Sequence, residues 1–265
     1  MLQHRNLIMA CLGVLALCGC SSQYNIDGNS SISGLDGQKM YLHMMTADGG
    51  NTMVCIDSCE VVHGTFNFGG VVDSVAMAEL YMGSAPMMPV VLENGSLLVQ
   101  MDNMMQSVSG GPLNDRLNEF LAKRNRCENE LWDIDRRARM MVYEGKTAEQ
   151  IVLVLDPIKN QVISTMRQLD TQFVKDNYSN VLGPGYFMRM CMSESGMPRI
   201  DEQIIEILAD APADFLHNPF VEHFLFTSGL TPEAIHDQYV QRCPAECDSV
   251  NHDHKGGRTN KSRKK

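Results

Sequence analysis

The spacing of apolar residues changes at the Gly-Gly-Pro sequence of residues 110–112, and this change determines the fold class that the chain can adopt. Before it, apolar and polar residues alternate in short segments, as at Leu97, Val99 and Met101, which is typical of strands with one buried face. After it, apolar residues recur every three or four positions, which is typical of amphipathic helices. The sequence therefore predicts an α+β protein, with an N-terminal antiparallel β-sandwich or open barrel followed by an α-helical hairpin and short helices.

The β domain is predicted over residues 32–110, where turn-forming residues separate about six or seven short alternating segments. One of these turns is Asn94-Gly95, between two apolar segments. Because both residue types tolerate a positive φ, this pair predicts a two-residue hairpin that joins neighbouring strands.

The helical region is predicted over residues 111–242. Its first helix should run to about Met141 and carries Cys127 on its apolar face, where we expect a small buried thiol. Thr147 and Gln150 have the spacing of a capping box at the start of a second helix, which gives an antiparallel helical hairpin. Pro157 lies within the second helix and lacks an amide hydrogen, so we expect it to kink or divide that helix.

Shorter helices are expected at residues 184–193 and 201–210. Two more are expected after an Asn-Pro pair at 218–219 and a Thr-Pro pair at 231–232, because each pair places a capping residue before a proline in the first helical turn. Helical structure should end by Arg242.

The N-terminus has the pattern of an export signal. The apolar run 7–17 is too short to span the hydrocarbon core of a bilayer, which requires roughly 20 residues, so residues 1–19 are interpreted as a signal peptide. Its end resembles a bacterial lipobox, with Leu17, the small residue Gly19 and then Cys20 as the residue to be acylated. Acylation with palmitate or similar chains would anchor the chain to a membrane through Cys20.

Residues 20–31 are rich in Ser, Asn and Gly and are predicted to form a flexible tether that holds the β domain away from the lipid. Ser21 and Ser22 lack the acidic residue that is associated with retention in the inner membrane. The resemblance to lipoproteins therefore implies a location in the cell envelope, on the outer membrane and facing the periplasm.

Charge is distributed unevenly along the chain. The net charge is −10, yet residues 255–265 carry six basic side chains and no acidic one. The body of the protein is therefore acidic and would repel nucleic acid, which we do not expect as a partner. Residues 243–265 are predicted to be a disordered basic tail that contains Cys and His.

Six cysteines remain once the signal peptide is removed and Cys20 is acylated. An even number in an oxidising compartment permits complete pairing in disulfides, with several possible connectivities. Cys243 and Cys247 lie in a predicted turn and form the easier pair. Cys55 and Cys59 would lie about 13 Å apart on one extended strand, so a disulfide between them requires a turn.

Four segments in the first half of the chain occur in the order of a known family. They are GQKMYLHMM, CIDSCEVVHGTFNFGGVV, PVVLENGSLLVQM and VSGGPLNDRLNEF. This series resembles the domain of unknown function 4369, which typically begins thioredoxin-like lipoproteins of Gram-negative envelopes. The segments NYSNVLGPGYF and PADFLHNPFVEHF also resemble the helical connector of those proteins.

In those relatives the connector leads into a thioredoxin domain with a W-C-x-x-C motif, which this sequence lacks. The single tryptophan, Trp132, has no neighbouring cysteine, and Cys243 and Cys247 are four positions apart instead of three. The resemblance therefore implies a lipid-anchored periplasmic accessory or binding protein without the redox centre. Its expected partners are the membrane, an unknown envelope protein or small ligand, and a thioredoxin-like protein.

Two other activities stay open. Cys243 and Cys247 could take part in thiol–disulfide exchange in the envelope, and with His252 and His254 they could bind zinc or copper, although the spacing matches no common zinc finger. We expect no cofactor and identify no catalytic residues. Other chemical candidates are interpreted as structural: the methionines around Cys191 as packing residues, and the histidines of HNPFVEH as surface or capping residues.

Overall fold

A computed structural model describes residues 22–47, 52–102, 105–192 and 198–236 of the chain. The chain divides into two compact units. The first comprises residues up to Met44 together with Val54–Asn118, and the second comprises Met45–Met53 and the residues from Glu119 onward.

The first unit is built on eight strands, which form two four-stranded sheets that do not close into a barrel. The strands are β1 Ser22–Ser30, β2 Lys39–Thr46, β3 Thr52–Glu60, β4 Thr65–Val72, β5 Ala76–Met82, β6 Ala85–Leu92, β7 Gly95–Met101 and β8 Gln106–Ser109. One sheet has the order β4-β1-β7-β8, and the other has the order β3-β2-β5-β6. The sequence-based prediction of a sandwich-like β domain followed by helices is confirmed.

Strand β1 replaces most of the tether that the sequence predicted over residues 20–31. It lies between β4 and β7 in the first sheet, with Tyr24 and Ile26 buried in the core. Gly28 is also required by packing, because a Cβ atom there would lie 2.0 Å from the ring of Phe66. The Ser, Asn and Gly residues that suggested flexibility therefore belong to a paired strand, and the β domain begins ten residues earlier than the predicted boundary at Ile32.

The hairpin predicted at Asn94-Gly95 is wrong. Strand β6 before this pair and strand β7 after it belong to different sheets. Instead, β7 pairs in parallel with β1, with Tyr24 opposite Gly95, so the otherwise antiparallel sheet contains one parallel pair. Asn94 contributes by accepting a hydrogen bond from the Gln23 amide at 2.5 Å, which ties this crossover to the start of β1.

The residues next to the crossover also position the first helix. The buried Glu93 accepts hydrogen bonds from the backbone amides of Leu113 and Asn114, at 3.4 and 2.8 Å. A carboxylate at a helix N-terminus satisfies unpaired amides and interacts favourably with the helix dipole. Gly111 is needed beside it, since a Cβ atom at that position would lie 2.3 Å from the Glu93 carboxyl carbon.

Asn114 connects the start of α1 both to β6 and to Glu93. Its side-chain amide donates to the Val91 carbonyl at 2.8 Å and accepts from the Val91 amide at 2.9 Å, as a neighbouring strand would. The same amide nitrogen donates to the Glu93 carboxylate at 2.8 Å. Asn114 is fully buried, so these bonds join the first turn of the helix to strand β6 without access of water.

The helices follow in the predicted order. They are α1 Pro112–Tyr143, α2 Ala148–Asp176, α3 Leu182–Cys191, α4 Glu202–Ala209, α5 Ala213–Leu216 and α6 Pro219–Ser228. A further helical turn covers residues 232–236. The capping box at Thr147 and Gln150 is present, and Asn218 caps α6 before Pro219 as expected. Pro157 does not divide α2, which continues through it.

The hairpin of α1 and α2 encloses an apolar seam. Its buried members are Cys127 and Ile134 from α1 and Leu155 and Val162 from α2. Cys127 is therefore a core residue, as predicted. Nearer to α3, the contact between α1 and α2 is made by stacked rings: Phe120 and Phe173 lie face to face with centroids 4.0 Å apart.

We expect Asn114→Ala to destabilise the β domain, because Val91 loses both partners of a buried amide pair. The free energy of unfolding should fall by about 2–4 kcal/mol, and chemical denaturation measures it. Hydrogen exchange of the Val91 amide gives a local readout and should lose its protection. The control is Asn129→Ala at an exposed position of the same helix, which should change stability by less than about 0.5 kcal/mol. Equal effects of the two substitutions would contradict this role of Asn114.

Candidate functional site

The structure does not place the residues that the sequence singled out for chemistry. Cys20, Cys243, Cys247, His252 and His254 all lie outside the described residues. Acylation of Cys20, exchange or disulfide formation at Cys243 and Cys247, and metal binding in the tail therefore stay predictions. The functional site must be sought among the residues that the structure does describe.

The four described cysteines are free thiols. Cys55 and Cys59 both lie on β3, which is continuous between them, so the turn that a disulfide would require is not formed. Cys127 and Cys191 are buried in the helical unit. No two of these four thiols form a disulfide.

Their surroundings also make three of these thiols poor nucleophiles. Burial raises the pKa of the Cys59 thiol, and the same cause raises the pKa of Cys127 and of Cys191. The thiolate is the reactive form of cysteine, and dithiol oxidoreductases depend on a lowered thiol pKa. The pKa values of these three thiols are therefore shifted in the opposite direction to that of a reactive redox cysteine.

His217 has the capping position that the sequence indicated, and two of the three methionines around Cys191 pack in the core as predicted. His217 is the C-cap residue of α5, with Nδ1 at 2.8 Å from the Ala213 carbonyl. Met188 and Met190 are buried, whereas Met192 is exposed, so the methionines around Cys191 do not converge on one point. Within residues 22–47, 52–102, 105–192 and 198–236, no three His, Cys, Asp or Glu side chains are placed to bind a metal ion.

A buried polar cluster links three helices of the second unit. The Asp170 carboxylate on α2 accepts hydrogen bonds from Arg124 Nε on α1 at 3.1 Å and from the Tyr186 hydroxyl on α3 at 3.0 Å. Arg124 also pairs with Glu128 one turn along α1. Sequence reasoning missed this cluster, although Arg124 was visible as the one charged residue that interrupts the apolar stripe of α1.

Asp170 and Tyr186 are buried, whereas Arg124 and Glu128 are partly exposed. Burial raises the pKa of Asp170, an effect that Arg124 and the Tyr186 hydroxyl oppose. Burial likewise raises the pKa of Tyr186 above its usual range. Phe120 and Phe173 both pack edge-on against the Tyr186 ring. A carboxylate held in this way joins α2 to α1 and α3.

A polar groove of about 790 Å³ lies between α2 and α4. In its wall, Lys175 Nζ donates to Glu206 and Asp210 at 3.0 and 2.6 Å. Gln203 Nε2 donates to Thr171 Oγ1 at 3.1 Å. These side chains are engaged with one another, so the groove does not present them for binding of an anion or a metal.

The most unusual surface lies at the turn of the helical hairpin, where large apolar side chains are exposed. We call it the apical surface. It consists of Met140, Val142 and Tyr143 on α1 and Val152, Leu153, Val154 and Ile158 on α2. Tyr143 is 87% exposed and Leu153 is 79% exposed.

The apical surface differs from the scattered exposed residues of ordinary proteins. Single apolar side chains on a surface are common, whereas the two helix ends at this turn carry seven of them. Here they occupy the last turn of α1 and the first three turns of α2, on both sides of a four-residue turn. Arg139 precedes them and Glu144, Lys146 and Glu149 lie between them in the sequence, so charges of both signs alternate with the apolar residues.

The exposed tryptophan extends this surface along α1. Trp132 is 71% exposed, and Arg136, Arg139 and Tyr143 follow it at helical intervals of four, three and four residues. The four side chains therefore share the face of α1 that is opposite the hairpin seam.

No helix in the part of the chain described is both long and apolar enough to span a membrane.

Comparison with known families supports the resemblance of the N-terminal segments. Residues 24–117 match the family described as "Domain of unknown function (DUF4369)". This match covers the two sheets from β1 onward and the first turns of α1, which include Glu93, Gly111 and Asn114. No curated protein matches the sequence.

We expect Tyr186→Phe to destabilise the helical unit in a pH-dependent way. The Tyr186 hydroxyl lowers the pKa of Asp170 because it donates to the ionised carboxylate, so its removal raises that pKa further. The wild-type protein therefore gains stability relative to the variant as the pH rises through the pKa of Asp170. Denaturation should show a loss of about 2 kcal/mol near pH 7 and a smaller loss near pH 3.5.

Tyr178→Phe is the matched control. The Tyr178 hydroxyl donates to the Ile207 carbonyl at 2.6 Å, and this acceptor does not titrate in the acid range. Its removal should cost about 1 kcal/mol at both pH values. The same pH dependence in both variants would show that the effect does not come from Asp170.

Proposed function

We propose that this protein is a lipid-anchored, non-catalytic binding protein of the cell envelope that holds another envelope protein through its apical surface. The exposure of seven large apolar side chains at the hairpin turn is the observation that carries the proposal. Their exposure is unfavourable by about 25 cal/mol per Å² of apolar area, so a partner that covers them gains free energy.

The form of the apical surface favours a protein partner over a small ligand. Small-molecule sites are concave and enclose most of the ligand, whereas a helical hairpin turn is convex. Protein interfaces combine aromatic and aliphatic side chains at the centre with a polar rim. Tyr143 and Leu153 are the most exposed apolar side chains available for such a centre, and Arg139, Lys146 and Glu149 are charged side chains available for a rim.

The chemistry of the described residues supports a non-catalytic role. Burial raises the pKa of three of the four described thiols, and the buried Asp170 carboxylate is engaged by Arg124 and Tyr186. The resemblance to the N-terminal part of thioredoxin-like lipoproteins suggests a thioredoxin-like protein as the partner.

The anchor belongs to the same proposal. The sequence around Leu17, Gly19 and Cys20 has the pattern of a lipobox after a short apolar run. Diacylation of Cys20 would supply more than one acyl chain, which is what stable anchoring without a spanning helix requires. The proposed location is the outer membrane, facing the periplasm.

Crosslinking in intact envelopes tests the apical surface. A photo-crosslinking residue in place of Val152 should give a protein adduct, and Leu153→Asp should reduce the adduct yield at least tenfold. The reason is that burial of one leucine contributes about 2 kcal/mol, and a charge in its place opposes association. Leu153 is exposed, so the free energy of unfolding should change by less than about 0.5 kcal/mol.

Gln168→Asp provides the control, because it adds the same charge at an exposed position of the same helix, nearly three turns beyond Ile158, the last residue of the apical surface. It should leave the adduct yield unchanged. A yield that is insensitive to Leu153→Asp, or equally sensitive to both substitutions, would rule out the apical surface as the binding site.

Metabolic labelling with palmitate tests the anchor. The wild-type chain should incorporate label and fractionate with the membrane, and Cys20→Ala should lose both properties because the acylated sulfur is absent. Cys18→Ala is the control, since it keeps the lipobox residues Leu17, Gly19 and Cys20. Equal labelling of the wild type and Cys20→Ala would contradict acylation at this position.

A further inference from the structure

We infer that the end of the β-sandwich at which β1 begins lies directly against the phospholipid headgroups, without a tether between lipid and domain. This inference rests on the proposed acylation of Cys20. It follows from the distance along the chain between Cys20 and the first paired residue of β1, Ser22, which lies opposite Val72 of β4.

The covalent connection is short. Only Ser21 lies between Cys20 and Ser22. Two trans peptide links extend the chain by at most about 7 Å. A twelve-residue flexible tether would instead give a root-mean-square separation of about 20 Å.

The headgroup layer is about as thick as this connection is long. A bilayer has a hydrocarbon core of about 30 Å and a total thickness of about 40–45 Å, so each headgroup layer measures roughly 5–8 Å. The acyl chains of a lipidated cysteine lie in the hydrocarbon core. A strand that begins within about 7 Å of that cysteine must therefore start at the outer boundary of the headgroups.

The strand pairing identifies which other residues share this end. Because β1 and β4 are antiparallel, the last residues of β4 lie beside the first residues of β1. Because β1 and β7 are parallel, the first residues of β7 lie there as well. We call this region the proximal surface, and it surrounds a depression of about 700 Å³. It is lined by Gln23, Tyr24, Asn25, Gly69, Gly70, Val71, Asn94, Gly95 and Ser96.

The proximal surface is suited to contact with headgroups but not to attraction by charge. Its lining residues include amide and hydroxyl side chains and no ionisable acid or base apart from the Tyr24 phenol. Of the two connections beside it, 73–75 and 93–94, only Asp73 contributes an exposed carboxylate, since Glu93 is buried. The short connection therefore imposes the contact, and lipid charge or salt should have little influence on it.

Fluorescence quenching by headgroup spin labels tests this orientation. The acylated full chain is placed in phosphatidylcholine vesicles, with a fluorophore on Ser96→Cys at the proximal surface or on Ser84→Cys in the turn at the opposite end of the strands. Cys55 and Cys59, which are not buried, and Cys243 and Cys247 are replaced with Ser so that they do not take the label. Cys127 and Cys191 are buried and remain unlabelled.

We expect the Ser96 probe to be quenched at least threefold more than the Ser84 probe, at both low and high salt. Insertion of ten Gly and Ser residues between Ser21 and Ser22 should remove this difference, because it restores a flexible tether. The insertion leaves every paired residue of β1 in place, so circular dichroism and the unfolding curve should not change.

Each alternative outcome has a distinct meaning. Equal quenching of the two probes on vesicle-bound protein overturns the proximal surface and leaves the anchor intact. A difference that persists in the insertion variant, or that requires anionic lipid, shows an intrinsic lipid-binding surface and also overturns the inference. Protein that does not float with the vesicles overturns the anchor, and with it the inference that rests on it.

Discussion

The buried hydrogen bonds between Glu93, Asn114 and Val91 hold the junction on which the rest of the first unit depends. A carboxylate from the crossover between the sheets satisfies amides at the start of α1, and the Asn114 side chain continues the hydrogen bonding of β6. One short segment therefore ends a strand of one sheet, begins a strand of the other and fixes the first turn of the helix. Because these groups are buried, loss of any partner leaves another unsatisfied in an environment without water.

The second unit uses the same principle with a different cluster. Asp170 receives hydrogen bonds from Arg124 and Tyr186 on two other helices, and the Tyr186 ring packs edge-on against Phe120 and Phe173. An apolar core tolerates small displacements of one helix along another. A carboxylate that accepts hydrogen bonds from two other helices specifies one position. In the proposed function, these contacts hold the base of the hairpin that carries the apical surface.

Local sequence patterns predicted most helices and strands of this fold. They did not predict which strands pair, because that depends on residues far apart in the chain. The capping box at Thr147 and Gln150 and the period change near residue 111 depend on neighbours along the chain, and both were correctly interpreted. The Ser, Asn and Gly content of β1 is typical of a linker. Gly28, however, is there because the Phe66 ring leaves no room for a Cβ atom, and composition alone does not reveal such a contact. Turn chemistry at residues 94–95 likewise could not show that β7 pairs with β1 instead of β6.

The polar cluster at Asp170 was not predicted from the sequence for the same reason: its members are far apart in the chain. Arg124 could be recognised as a break in an apolar stripe, but its partner Asp170 lies 46 residues away. Placing β1 inside a sheet also links anchoring to folding. This strand lies between β4 and β7, whose residues come later in the chain, so the sheet is completed only when the segment next to Cys20 is inserted. In the proposed acylated form, this central strand begins two residues from the lipid, so the anchor and the sheet share one short segment.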